Sequence, residues 1–230
     1  MPADHLDLSV RKADPDRWLA SRFIADREAR ADVVALYAFD HELARVRRVA
    51  SNALLAEIRL TWWRDALDEM FGAGPVRAHP VARALADAVA RRGLPRRPLE
   101  AMIEARIAVL DKSTLDIDEA LAWADGVGGS ATILAARMLD PSVSAEASAP
   151  AGRAWGLLLL RRAAVIAGAQ FDARLTSAAA AASRAARALG AAAFPAVACA
   201  SLVRAELRSG PRPAIEVRLR LFRAMLTARL

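Results

Sequence analysis

Helix start and stop signals punctuate this chain so often that few folds other than a helical one can accommodate it. Asp14 or Asp16 is placed to cap a helix reaching Ile24, and Asp26 a longer one to about Val49. Ser51 opens the next, which carries TWWRDALDEMF and stops at Gly72-Ala-Gly-Pro75. His79-Pro80 starts another that ends in Arg91-Arg92-Gly93, basic residues and then the glycine expected past a helix end. Asp116-Ile-Asp-Glu119 has the form of a capping box ahead of LAWADGVGGSATILAARML, and Gly126, Gly128 and Gly129 should kink or interrupt that helix. Strand-type alternation of β-branched residues is nearly absent. The fold class is all-α.

Apolar residues make up 55% of the 230 positions, enough for a sizeable core. The segment from Asp140 to Pro150 is the best linker candidate, but helical grammar is the same on both sides of it. One domain over 1–230 is therefore expected, with residues 1–13 flexible. The low-complexity tract Ser177 to Ala193 suits a thin, closely packed helix. Net charge is +7 and the basic residues are arginine except Lys12 and Lys112. Those arginines are spread along every helix, so a nucleic-acid partner is not expected, whereas an anionic membrane surface or an acidic protein stays open. Cys199 is the only cysteine, which excludes an intrachain disulfide and a multi-cysteine zinc site. The start MPADHLDLS lacks the form of a signal peptide, and no uncharged run reaches the roughly 20 apolar residues of a membrane span. A cytoplasmic protein, peripheral at most to the inner membrane, is expected.

Six blocks, ALYAFDHELARVRR, AEIRLTWWRDAL, HPVARALADAVARRGLP, EAMIEARIAVLD, GGSATILAARML and AGRAWGLLLLRR, follow one another over roughly residues 15 to 165. In order and spacing they resemble the squalene/phytoene synthase family. The resemblance implies a single isoprenoid-synthase-like helical domain around a central cavity. In catalytic members two aspartate-rich motifs on facing helices hold Mg²⁺ against a diphosphate. Ionising an allylic diphosphate leaves a highly charged anion that hard cations with carboxylate ligands must neutralise.

At about 100° per residue, Tyr37, Asp40, His41, Ala44 and Arg48 share one helix face, and Leu36, Phe39, Leu43 and Val46 form an apolar stripe. Ungapped matching puts the first aspartate motif at 44, 45 and 48, where this chain has Ala44, Arg45 and Arg48. The second should follow Arg162, where Ala163 and Ala167 stand, and no acid occurs from Ala147 to Phe171. The match implies a non-catalytic branch of the family, with an assembly or scaffold role and a respiratory complex I subunit as partner. A prenyl-diphosphate enzyme with displaced ligands and an isoprenoid- or lipid-binding protein are the alternatives. No catalytic residue and no cofactor are assigned; Mg²⁺ enters only with the displaced-ligand enzyme.

Candidate cavity or anion-binding residues are Tyr37, Asp40, His41, Arg45, Arg48, Glu57, Arg64, Asp68 and Arg162. Guanidinium can bind phosphate bidentately without a metal. Glu57, Thr61, Arg64 and Asp68 share a face of the TWWRDAL helix, where Arg64 and Asp68 are an i,i+4 pair and the acids could neutralise Arg45 and Arg48. Small residues at 44, 163 and 167 favour a closed cavity, in which Arg45 and Arg48 would find Glu57 or Asp68; an open cavity would leave them for an anionic head group. Trp62 and Trp63 point about 100° apart, so at least one belongs to the core. At the C-terminus Ile215, Leu219, Phe222 and Leu226 form one stripe, away from Arg220 and Arg223. It suits either a helix closing the core or one docking on anionic lipid.

Overall fold

The computed structural model describes residues 2–50, 52–72, 74–210 and 213–230. Among them every regular element is helical. Residues 2–13, expected to be flexible, form α1 (Pro2–Ala13), which packs on the long third helix through buried Leu6 and Val10. Asp14 caps α2 (Pro15–Ser21), with Pro15 at its start where a missing N–H costs nothing. Asp26 caps α3 (Arg27–Val49), its carboxylate accepting from the amides of Glu28 and Ala29 at 2.7 and 2.9 Å. The expected stripe Leu36, Phe39, Leu43 and Val46 is buried, each side chain contributing about 1.5–3 kcal/mol. Buried Asp32 ties α3 to α5 by accepting from Arg91 and Arg92.

The cap expected at Ser51 lies outside the described residues; Asn52 caps α4 (Ala53–Phe71) by accepting from the Leu55 amide at 2.9 Å. Then follow α5 (Pro80–Arg92), closed by Gly93 at φ +59, and α6 (Arg96–Ile107). The Asp116–Glu119 capping box is present at α7 (Ile117–Ala124). The glycines do interrupt the next helix, as a π-turn over Asp125–Gly129 before α8 (Ser130–Leu139).

The proposed linker is not one. Ser144 caps α9 (Ala145–Arg162), and Pro150 lies inside that helix rather than beyond a domain edge. The helix also stops earlier than the family match suggested. Ala164 takes φ 55, a left-handed value, and the chain turns so that the Val165 carbonyl accepts from the Leu115 amide at 3.0 Å. Positions 163 and 167 therefore no longer share a helix face. The alanine tract forms α10 (Ala169–Ala185) and then gives way to short 3₁₀ turns that lead to α11 (Val203–Ser209).

The last helix, α12 (Ala214–Thr227), closes the core, but with the face opposite to the predicted stripe. Val217, Leu221 and Ala224 are buried, while Ile215, Leu219, Phe222 and Leu226 are 50 to 70% exposed. Cys199 is buried, and Trp63 and Trp155 belong to the core while Trp62 stays at the surface. No helix among the described residues is long and apolar enough to cross a membrane. One continuous hydrophobic core joins α1 to α12, and α3 and α9 both line a central cavity within it.

Candidate functional site

The cavity has a volume of about 430 Å³, within the range of small-molecule pockets. Small residues at 44 and 163 did not close it; both line it. Leu43 and Leu60, Trp123 and Trp155, Leu159 and Leu160 make much of its wall apolar. Its polar groups come from α2, α3, α6 and the end of α9.

Asp40 is the centre of the polar part. It is buried, and each of its two carboxylate oxygens accepts from a guanidinium, one from Arg17 on α2 and the other from Arg106 on α6. Burial raises the cost of charging Asp40, yet Arg106 and Arg17 outweigh it and hold the carboxyl below the ordinary aspartate value. Arg17 is anchored further by Asp14 and lies 4.7 Å over the Tyr37 ring. Burial pushes the Tyr37 hydroxyl well up, so it stays protonated.

A second cluster closes the α9 end. Arg162 donates from Nε to Glu206 and from Nη1 to Asp16, both at 3.0 Å, and lies 4.9 Å over Trp155. Burial alone would lower its pKa, but the Glu206 and Asp16 carboxylates raise it. Asp16 is shifted up by burial, with Arg162 opposing. His41 lines the cavity half-buried, and that burial lowers its pKa, favouring the neutral ring.

Tyr37, Asp40, His41, Arg48 and Arg162 thus come together around one cavity. Arg45, Glu57, Arg64 and Asp68 do not. Arg45 turns to a shallow groove between α3 and α4, where Glu42 is its 3.6 Å ion-pair partner. The Arg64–Asp68 pair does not form, because that face of α4 looks at α6: Arg64 donates to Glu104 at 2.7 Å and Asp68 receives Arg96. Glu57 is exposed and has no ion pair among the described residues. Arg48 is exposed at the cavity and equally unpaired, and Arg47 beside it donates to the Lys112 carbonyl. The double variant Arg45→Glu, Arg48→Glu should consequently shift stability by no more than about 0.5 kcal/mol. Thermal denaturation of the two proteins checks this; a drop of 5 °C or more would mean these arginines have structural partners.

Arg17, Arg106 and Glu206 were not singled out from sequence, and Asp14 and Asp16 only as candidate helix caps. Arg106 was findable: with Leu99 and Met102 it falls on one buried helix face, and a charge there demands a partner. Glu206 carried the same signal more weakly, standing three and four residues after buried Val203 and Leu202 in a short helix, with its partner Arg162 44 residues away.

Mg²⁺ does not fit this donor set. Asp14, Asp16 and Asp40 each hold an arginine, positions 44 and 163 offer methyl groups, and position 48 a cation. Among the described residues no three of His, Cys, Asp and Glu are grouped as a metal would require.

A helical domain around a largely apolar cavity with charged groups massed at one side defines the class of isoprenoid-synthase folds. A solved dehydrosqualene synthase superposes with a TM-score of 0.72 at 17% identity, over 98% of this chain and 95% of that one. The squalene synthase HpnC from Alicyclobacillus acidocaldarius gives 0.69 at 15% identity, over 99% and 94%. The squalene/phytoene synthase family model matches residues 10–170, and the chain belongs to that family. It is 32% identical over 157 residues to the Rattus norvegicus protein named NADH dehydrogenase (ubiquinone) complex I, assembly factor 6, covering 67% of this chain and 46% of that protein. The Homo sapiens protein of the same name is 30% identical over 164 residues, covering 70% and 49%. The chain thus spans about half the length of the curated relatives it matches.

Proposed function

We propose that this protein works by association, as an assembly factor of the scaffold type for respiratory complex I, and not by transferring prenyl groups. The observation that carries the reading is Asp40: the carboxylate on the cavity face of α3 has both oxygens committed to Arg17 and Arg106. With its charge met by two guanidiniums, which would themselves repel a metal ion, this carboxylate is a poor ligand for a cation that grips diphosphate. The likeness to relatives named complex I assembly factor 6 supports the partner, a subunit of that complex. Exposed Leu54, Leu55 and Ile58 near the start of α4 supply apolar surface for such contact. In this proposal the protein needs no cofactor and sits in the cytoplasm against the inner membrane.

A second reading is favoured by the open cavity itself. Its apolar wall and the unpaired Arg48 suit an isoprenoid or lipid chain with an anionic head, bound without turnover. Native mass spectrometry of the purified protein would show such a passenger.

The test has two arms. Deleting the gene should lower NADH:ubiquinone oxidoreductase activity in membranes several-fold, and the wild-type gene should restore it. Purified protein with Mg²⁺ and farnesyl or geranylgeranyl diphosphate should release no pyrophosphate above a protein-free blank. Turnover abolished by EDTA would overturn the reading in favour of an enzyme with displaced ligands, and unchanged complex I in the deletion strain would remove the proposed client.

A further inference from the structure

Beyond the residues that match the family model, the C-terminal part of the fold carries a surface that neither the cavity nor the proposed scaffold role uses. On α12, Ile215, Leu219, Phe222 and Leu226 fall within about 60° of one another at 100° per residue, opposite the buried Val217, Leu221 and Ala224. Arg218 and Arg223 border this stripe, one on each side, so Arg223 does not stand away from it as expected, and both are exposed. The helix is therefore apolar on two opposed faces. The inner face meets the core; the outer face meets water, and its leucines are 61 to 70% exposed.

The neighbouring surface is strongly basic. Two depressions share Arg229 and Leu230 in their walls. One is lined by Arg184, Arg187 and Arg204, the other by Leu219, Arg220 and Arg223, so the apolar stripe borders the arginines through Leu219. Glu216 is the one acidic side chain lining either depression among the described residues, and it already accepts from Arg220 at 2.9 Å. Arg184, Arg187, Arg204, Arg223 and Arg229 have no ion pair there among the described residues.

We infer that this face is a docking surface for an anionic lipid bilayer, with the α12 stripe entering the boundary between head groups and acyl chains and the arginines meeting lipid phosphates. The inference rests on the peripheral placement proposed above and names the element responsible for it. Charge complementarity selects this occupant: an apolar stripe with arginines on both flanks lets each long side chain bury its stem and keep its head among phosphates. A second copy of the chain would bring the same unpaired arginines face to face. Phe222, in the stripe, also packs on Phe23 with ring centroids 6.2 Å apart.

The test is co-sedimentation of the intact protein with phosphatidylcholine vesicles, with and without a third of phosphatidylglycerol. Binding should require the anionic lipid and weaken as salt is raised. Arg184→Ser with Arg187→Ser should reduce vesicle partitioning by about 30-fold, at roughly the strength of one basic residue each. Leu219→Ser with Leu226→Ser should reduce it by about tenfold or more. All four positions are exposed, so melting temperatures should stay at the wild-type value and show that the fold is intact. Equal binding to neutral vesicles, no binding to either, wild-type partitioning of the variants, or a lipid-free dimer that the same substitutions dissolve would each overturn the inference. None of these results would alter the outcome of the gene deletion, so failure of the membrane face and failure of the scaffold reading stay distinguishable.

Discussion

Asp40→Ala should lower folding stability by about 3–5 kcal/mol, because it leaves the buried guanidiniums of Arg17 and Arg106 without their shared counter-charge. In a domain of this size each kcal/mol moves the melting temperature by about 2–4 °C, so a fall of roughly 10 °C is expected. Replacing all three residues together, Arg17→Met, Asp40→Leu and Arg106→Met, should recover part of that loss, since the cost lies in orphaned charge rather than in a missing attraction, while Asp14 then loses its Arg17 partner. The pH dependence has a definite sign. Asp40 is held below its ordinary value of 3.8, so its contribution is complete above about pH 4 and is lost as pH falls through its folded pKa. Asp16, raised by burial, acts the other way: its contribution is present below about pH 4 and is lost as pH rises through its own folded value. The gap between wild type and Asp40→Ala should accordingly narrow in acid. A variant that melts with the wild type at pH 7 would show that the Arg17–Asp40–Arg106 cluster is not what positions α2, α3 and α6.

This cluster also marks where sequence reasoning stopped being sufficient. Helix boundaries were legible where a single residue type fixes them locally. Asp26 caps α3, Gly93 ends α5 and Asp116 with Glu119 starts α7, each through bonds within four residues. The family blocks added the placement of α3 and α9 around a cavity. Side-chain partners across helices were not legible. Arg64 could be paired with Asp68 on helical spacing alone, yet both look outward to α6, and nothing local to either residue reveals which neighbour a helix face meets. The α12 stripe failed for a related reason. Its four apolar residues are larger than Val217 and Ala224 on the buried face, so amphipathicity by itself selects the wrong side. Closeness to neighbouring helices favours the smaller residues. Closure of the cavity was expected from small residues at 44, 163 and 167, yet 44 and 163 line it, and the close approach of small residues occurs elsewhere, where α9 meets the π-turn.

That contact yields the other large effect. A Cβ on Gly152 would lie 2.1 Å from the Gly128 carbonyl oxygen and 2.7 Å from the Thr132 hydroxyl, and a Cβ on Gly128 would lie 2.2 Å from the Gly152 carbonyl oxygen. The two backbones touch directly, so no change of rotamer relieves either clash. The π-turn glycines, expected to act as interruptions of a helix, thus serve close approach, and the extra residue of the wider turn presents Gly128 to α9. Gly152→Ala should push α9 away from the π-turn and cost about 3 kcal/mol, the upper part of the range for overpacking. Because Val127 on the turn and Trp155 and Leu159 on α9 all line the cavity, the same displacement should change its volume and loosen any bound chain. Gly190→Ala is the matched control: a Cβ there meets nothing within 4 Å, and stability should stay within about 0.5 kcal/mol of wild type or rise slightly. Denaturant titrations of the two variants decide the matter. Equal midpoints would mean that the Gly128–Gly152 approach is incidental, whereas a loss confined to Gly152→Ala identifies one glycine pair as what lets α9 pack directly on the π-turn in the cavity wall.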